Sequence, residues 1–385
     1  MSASFKFILM ICFIPFVSFI GGTIYTAAFP ELSLVFDVSS TLIKFSLAIY
    51  FIGMVLGTIF SGLLSDLYGR LYILVFFLIL FCISSLFCGF SLSISWFLVG
   101  RFFQGAASAA GPIIIISLVA DRFEGETYKK FVSYVLIMLG LGPGFAPVIG
   151  SFILHFFEWR VIFFFLTLTG VLALLLVLSV GVEKKVMAFG AREALHQYTA
   201  FIKNPFFCYY CLIIGALYGA FNAILIISPY IFRLHYGWSI IEFAWVGLAL
   251  AFGESLGAFL NDLFIEKNGS RKIAFVGLLI SLIAFIMILF SGLPLNGIWF
   301  LLLITLFIMG GNLASACLTA DAVKMDPQFT GISSSLVYLA KFSICSIVLI
   351  FILLLPNSLF TINLFILLSL LISFFAYLKI RSVLP

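Results

Sequence analysis

Apolar stretches of about twenty residues follow one another along almost the whole chain, and that recurrence leaves few folds open. They fall near 7–29, 41–63, 71–90, 93–119, 130–154 and 161–182, then near 206–232, 240–264, 272–292, 297–319, 330–355 and 358–378. Each reaches the roughly 18 residues that mark a membrane-crossing helix. Lipid offers no partners to free backbone N–H and C=O groups, so such runs take the form of helices. Charge is scarce enough to agree: 9% of the 385 residues are charged and 64% hydrophobic, too little charge to cover a soluble surface. The expectation is an all-α membrane protein of twelve transmembrane helices. Residues 1–30 imitate a secretory signal, with Lys6, an apolar stretch and small residues at Ala27 and Ala28. The runs that follow favour an uncleaved first span.

Orientation follows from the basic residues. With both termini inside, 15 Lys and Arg residues, from Lys6 and Arg70 to Lys379 and Arg381, lie on the cytoplasmic side. Only Lys44, Arg160 and Arg233 then face out, while Arg101 and Lys341 sit within spans. That asymmetry predicts an N-in, C-in topology. The one long connection, 183–205, carries Glu183, Lys184, Lys185, Arg192 and Glu193 and ends at Asn204-Pro205. It is expected to be a partly helical cytoplasmic linker between an N-terminal bundle, 1–182, and a C-terminal bundle, 206–385.

A nine-residue stretch, Gly62-Leu-Leu-Ser-Asp66-Leu-Tyr-Gly69-Arg70, separates the second and third runs and brings an acid and a base close together. It reads as a tight loop between antiparallel neighbours, with glycines permitting the turn. Parts of it recur. Leu64-Ser-Asp66-Leu67 returns as Leu260-Asn-Asp262-Leu263, Gly69 as Gly269, and Ala120-Asp121 as Ala320-Asp321. The offset is 196 positions for the first match and 200 for the other two, which implies a short insertion between them. Three matches in order predict a duplicated six-helix unit, an architecture that places a substrate cavity between its halves.

On these residues the chain resembles a major facilitator superfamily transporter. Gly62, Asp66, Gly69 and Arg70 match that family's loop 2–3 signature, and Arg101-Phe-Phe-Gln104-Gly105 its fourth-span RxxQG signature. Gly142-Pro143-Gly144 with Ala146-Pro147 and Gly150 is similar to the fifth-span motif of the drug:proton antiporters. Phe29-Pro30-Glu31, Trp159-Arg160 and Ser228-Pro229-Tyr230 resemble the bicyclomycin-resistance-type (Bcr/CflA) group. The resemblance implies two pseudo-symmetric six-helix bundles and conformational gating by Gly62, Asp66, Gly69, Arg70, Asp121, Gly142, Pro143 and Pro147. In it, Asp66 would lie near the start of span 11 and Arg70 would reach Asp121. There are departures. Thr23 stands where that group commonly has an acid two places before a tyrosine, here Tyr25. Leu71 and Tyr72 replace a second basic residue after the loop, and Lys341 replaces a common glutamine.

Several residues speak without the family. Arg101 lies roughly 12 Å inside span 4 at 1.5 Å per residue, so it should face a cavity or bind backbone carbonyls and Gln104. It either pins neighbouring helices or serves proton or substrate traffic. Gly105, Ala106, Ala109, Ala110 and Gly111 form a small-residue surface for close packing. The Gly-Pro-rich stretch 140–147 should bend span 5, its freed carbonyls satisfied by neighbours or water. Glu254 and Lys341 lie at matching depths, roughly 15 and 17 Å from the cytoplasmic ends of spans 8 and 11. As a pair they are cheaper than apart, so they form either a static clamp or a titratable, substrate-binding pair.

The expected function is alternating-access transport, with proton-coupled export of small amphipathic compounds. Import or facilitated passage of an anionic metabolite or siderophore is the alternative. Arg101, Gln104, Glu254 and Lys341 are the candidate coupling residues, and Tyr25, Tyr218, Phe221 and Asn222 the candidate cavity residues. The expected partners are a small-molecule substrate, protons and the lipid bilayer of the cytoplasmic (inner) membrane, with the chain acting as a monomer. No enzyme activity, cofactor, metal or nucleic-acid partner is expected. Cys208-Tyr-Tyr-Cys211 has no second pair for a zinc site, and no phosphate-binding loop ends in Lys-Ser/Thr.

Overall fold

The computed structural model describes residues 3–123, 125–180, 199–290, 296–325, 330–356 and 358–383. Among them no strand occurs, and twelve helices are long and apolar enough to cross a membrane. The chain divides into two compact units, Met1–Ala188 and Phe189–Pro385. The first contains α1 (Ala3–Thr23), a short α2 (Phe29–Val35), α3 (Ser40–Tyr68), α4 (Arg70–Gly89), α5 (Ile94–Arg122), α6 (Gly125–Phe156) and α7 (Arg160–Val180). The second contains α8 (Pro205–Pro229), α9 (Ile240–Asn268), α10 (Ser270–Phe290), α11 (Gly297–Lys324), α12 (Thr330–Ile352) and α13 (Leu359–Val383). Most of the expected 183–205 linker lies outside the described residues. Its end is helical at 199–203, and the Asn204 side chain then caps α8 by accepting from the Phe206 and Phe207 N–H groups.

The first helix of each unit changes pitch near the same place. After Thr23 a 3₁₀ turn, Thr26–Ala28, leads into α2. After Pro229 the chain widens into a π-helical turn, Tyr230–His235. On α7, Leu168, Leu172 and Leu175 are 57%, 48% and 57% exposed. Their spacing puts them on one face, suited to lipid rather than water.

The stretch Gly62–Arg70 is not a nine-residue loop. Helix α3 continues through Tyr68, α4 starts at Arg70, and Gly69 alone breaks the path, at φ 103°. Polar residues past the end of an apolar run are compatible with helix once water can solvate them, which hydropathy alone does not register. Gly69 takes a backbone conformation that a side chain would strain. Gly62 lies within the helix, and a Cβ added there meets nothing within 4 Å. It provides no turn.

The repeat is also tighter than the sequence matches suggest. Helices α3 and α9 are both 29 residues long, run 40–68 and 240–268, and are closed by Gly69 and Gly269, the latter at φ 74°. A constant shift of 200 therefore relates them, and no insertion separates the matches. The position equivalent to Asp66 is Glu266, not Asp262.

Close helix contact recurs at the same shift. A Cβ on Gly53 or Gly57 would collide with the main-chain oxygen of Phe102 or Ala106 on α5. On Gly253 or Gly257 it would meet that of Thr305 or Met309 on α11. Each G-x-x-x-G pair lets two backbones approach where any side chain would hold them apart. Gly105 contributes from the α5 side, its Cβ position falling on the Tyr50 carbonyl.

Candidate functional site: Arg101 in one unit, Lys341 in the other

In the N-terminal unit the candidate residues converge on α1, where its last turn presents carbonyl oxygens that a regular helix leaves unpaired. Arg101 reaches across from α5. Its Nη1 donates to Gly21 O at 2.8 Å and its Nη2 to Gly22 O at 3.0 Å. Nη1 also donates to Gln104 Oε1, and Gln104 Nε2 donates to Ser85 Oγ at 2.7 Å. Arg101 Nε has no partner. The guanidinium carbon stands 4.2 Å from the Tyr25 ring centre and 4.3 Å from that of Tyr50, so two aromatic faces enclose it. Arg101 and Gln104 are both fully buried. A carboxylate does not contact Arg101 among the described residues; carbonyl dipoles and ring faces carry its charge. The arrangement ties α1 to α5.

Tyr25, an expected cavity residue, is fully buried here. Its hydroxyl is 2.6 Å from Ser46 Oγ, and its ring packs on Phe29, Phe97 and Phe163. It serves as the wall behind Arg101.

Thr23 and the proline-containing stretch of α6 meet in the same region. Pro147 has no N–H to give the carbonyl four residues back, which is that of Pro143. Thr23 Oγ1 donates to that oxygen at 3.4 Å. Gly142 lies against Phe19, its Cβ position 3.0 Å from the Phe19 Cβ.

The end of α3 and α4 holds an ion pair. Arg70 Nε donates to Asp121 Oδ2 at 2.8 Å, with both side chains about 15% exposed. Arg70 also reaches Ser65 Oγ at 3.3 Å. The second unit has a weaker counterpart 200 positions on: Ser270 Oγ donates to Asp321 Oδ2 at 2.6 Å. The side chain of Asp66 lies outside the described residues.

In the C-terminal unit the two charges that the sequence suggests as a pair make no direct ion pair. Lys341, on α12, places its Nζ 4.0 Å from the Tyr218 ring centre and 5.9 Å from that of Tyr338. Glu254, on α9, interacts with Lys341 through space. Even so, they make no ion pair within 4.0 Å. Glu254 Oε2 is buried without a hydrogen-bond partner. The backbone of Glu254 is fixed instead, its carbonyl accepting from Asn312 Nδ2 at 2.5 Å. Asn312 does not stand out in the sequence; an amide within an apolar run is the only signal it gives.

Of the other expected cavity residues, Tyr218 and Phe221 are stacked at 6.2 Å and 25°, and Tyr218 lies 6.4 Å from Phe342. Asn222 Nδ2 donates to Tyr218 O at 2.9 Å, leaving Asn222 Oδ1 buried and unpaired. All three residues are buried. The structure thus groups Tyr218, Phe221, Asn222 and Lys341, with Glu254 nearby but apart.

Known proteins resemble this chain in sequence and in fold. The profile of the Major Facilitator Superfamily matches residues 11–349. The Bicyclomycin resistance protein homolog of Haemophilus influenzae is 25% identical over 350 residues, covering 90% of this chain and 88% of that one. An uncharacterized MFS-type transporter of Bacillus subtilis, YdgK, is 27% identical over 255 residues, 63% of each chain, so the match spans less than two thirds of that relative. Multidrug resistance protein MdtL of Escherichia coli is 23% identical over 187 residues, 49% of this chain and 48% of its own. Among solved structures, a D-xylose-proton symporter superposes with a TM-score of 0.82 at 16% identity, covering 100% of this chain and 98% of the symporter. A point mutant of the nucleoside transporter NupG gives 0.72 at 12% identity, covering 98% and 100%. The chain belongs to the major facilitator superfamily, as a multi-pass membrane protein of the transporter fold.

Proposed function

We propose that this chain is a secondary active transporter of the cytoplasmic membrane, with both termini inside, that exports small amphipathic compounds in exchange for protons by alternating access. Glu254 carries the reading. It is the only carboxylate of the 15 acidic residues placed deep within an apolar run, and one of its oxygens is buried without a partner. Proton coupling needs a group that gains and loses a proton as access changes. The N-terminal unit offers no acid at the corresponding depth. Thr23 stands where one would be, and its hydroxyl is held by Pro143 O.

Export is supported by relatives named for resistance to bicyclomycin and to multiple drugs. In this reading Arg70–Asp121, Asp66 and the Gly142, Pro143 and Pro147 stretch of α6 govern the change of access. Arg101 and Gln104 hold α1 to α5 through it. A second reading, uptake of an anionic metabolite, draws on the ammonium of Lys341, which has no carboxylate contact among the described residues.

The sign of a pH change separates the two. In inside-out vesicles with an acidic lumen, an exported substrate should raise lumenal pH relative to empty vesicles, because protons leave as substrate enters. Acidification on adding substrate, the signature of symport, or no change at all would overturn proton-coupled export.

A further inference from the structure

Glu254 and Lys341 stand on two different helices and make no direct ion pair. Glu254 belongs to α9, which is locked onto α11 by the Gly253 and Gly257 contacts and by the Asn312 bond to the Glu254 carbonyl. Lys341 belongs to α12, which packs on α8, where Gly215 and Gly219 receive Ile344 and Val348. Each charge is therefore fixed to a different helix pair, and the two make no direct ion pair.

The charges remain incompletely answered. A carboxylate oxygen buried in an apolar span without a partner is costly, and a ring face is a weaker partner for an ammonium than a carboxylate. We propose that the transported compound is amphoteric and aromatic. Its acidic group docks on Lys341, its basic group on Glu254, and its ring lies along Tyr218, Phe221 and Phe342. This rests on the transport reading and adds the substrate class.

Charge complementarity selects this class over its rivals. An anion at Lys341 also feels the repulsion of Glu254, and a cation at Glu254 feels that of Lys341. A compound bearing both groups meets an opposite charge at each end and leaves neither residue unanswered. The orphaned Asn222 Oδ1 adds an acceptor for an N–H donor, one helical turn from Tyr218 on α8. The stacked Tyr218 and Phe221 rings, with Phe342 beside them, gather aromatic side chains next to the ammonium, where a substrate ring would pack between them as access opens.

Three compounds sharing one ring system test the assignment: tryptophan, zwitterionic at pH 7, tryptamine, a cation, and indole-3-propionate, an anion. Their affinities for the full-length protein in lipid nanodiscs, measured by calorimetry without any gradient, should be led by tryptophan by about tenfold or more, the worth of one charge-assisted contact. Glu254→Gln should bring indole-3-propionate level with or ahead of tryptophan, and Lys341→Gln should do so for tryptamine. A wild-type ranking led by either singly charged compound, equal affinities, or no binding by any of the three overturns the proposal. The wild-type ranking needs no variant to fold. Binding without a gradient also leaves proton coupling to the vesicle measurements, so either conclusion can fail alone.

Discussion

Thr23 donates its hydroxyl to the main-chain oxygen of Pro143, 120 residues away, at 3.4 Å. The oxygen it satisfies is the one that Pro147 leaves without its helical donor. The proline-containing stretch of α6 is thus tied to α1 by a side chain at the end of α1. Thr23→Val keeps the shape of the side chain and removes the donor. It should lower stability by about 1 kcal/mol, whereas Thr23→Ser should lie close to wild type. Thermal unfolding of the purified protein in one detergent checks both, and equal melting temperatures for Val and wild type would show that the contact contributes nothing.

The same end of both units holds an acid at equivalent positions, Asp121 and Asp321, but with different partners. Arg70 makes an ion pair with Asp121 and Ser270 a hydrogen bond with Asp321. Both contacts are partly buried and end on a carboxylate, but only Arg70 adds a positive charge to its hydrogen bond. A double-mutant cycle of Arg70→Ser with Asp121→Asn should give a coupling of about 1 kcal/mol or more, and Ser270→Ala with Asp321→Asn a smaller one. The reverse order of the two couplings, read from thermal unfolding, would refute the comparison.

Arg101 makes a planar, forked set of contacts that a point charge cannot reproduce. Arg101→Lys should lose at least one of the two α1 carbonyls together with Gln104, costing about 1–3 kcal/mol and most of the transport rate. Expression, melting temperature and vesicle transport measured on the same variant check this. Full transport in Arg101→Lys would mean that charge alone is sufficient there.

Glycines that look alike in sequence have opposite roles. Gly57→Ala drives a methyl into the Ala106 carbonyl and should abolish accumulation of folded protein. Gly62→Ala enters open space within a helix, and should leave expression intact and raise stability by up to about 1 kcal/mol. Fluorescence-detected size-exclusion profiles distinguish them.

These contrasts show what was legible in the sequence. Twelve spans were, because a membrane helix writes its length directly as an apolar run. Arg101 with Gln104 was too, since positions three apart on one helix share a face. The continuation of α3 past Gly62 was not, because Ser65 and Asp66 read as a turn once the apolar run ends. The matching depths of Glu254 and Lys341 follow from the helical rise, but depth says nothing about which neighbour each helix packs against. Asn312 and the Pro143–Thr23 bond depend on partners 58 and 120 residues away, which no local pattern encodes. The glycine pairs at 53–57 and 253–257 were there to be read, at a spacing that permits close helix contact.

The central claim is that Glu254 takes up and releases the coupling proton. Glu254→Gln keeps the size of the side chain and cannot titrate. In proteoliposomes it should lose accumulation of substrate driven by a pH gradient, while exchange of labelled for unlabelled substrate continues once the substrate concentration is raised enough to offset the lost contact to its basic group. The Glu254→Gln, Lys341→Met double variant should express better than Lys341→Met alone, because a lone buried charge is the costly state. The decisive measurement is pH-driven uptake by Glu254→Gln. Loss of accumulation with exchange preserved is the predicted result, and accumulation against the gradient in response to ΔpH would contradict the account.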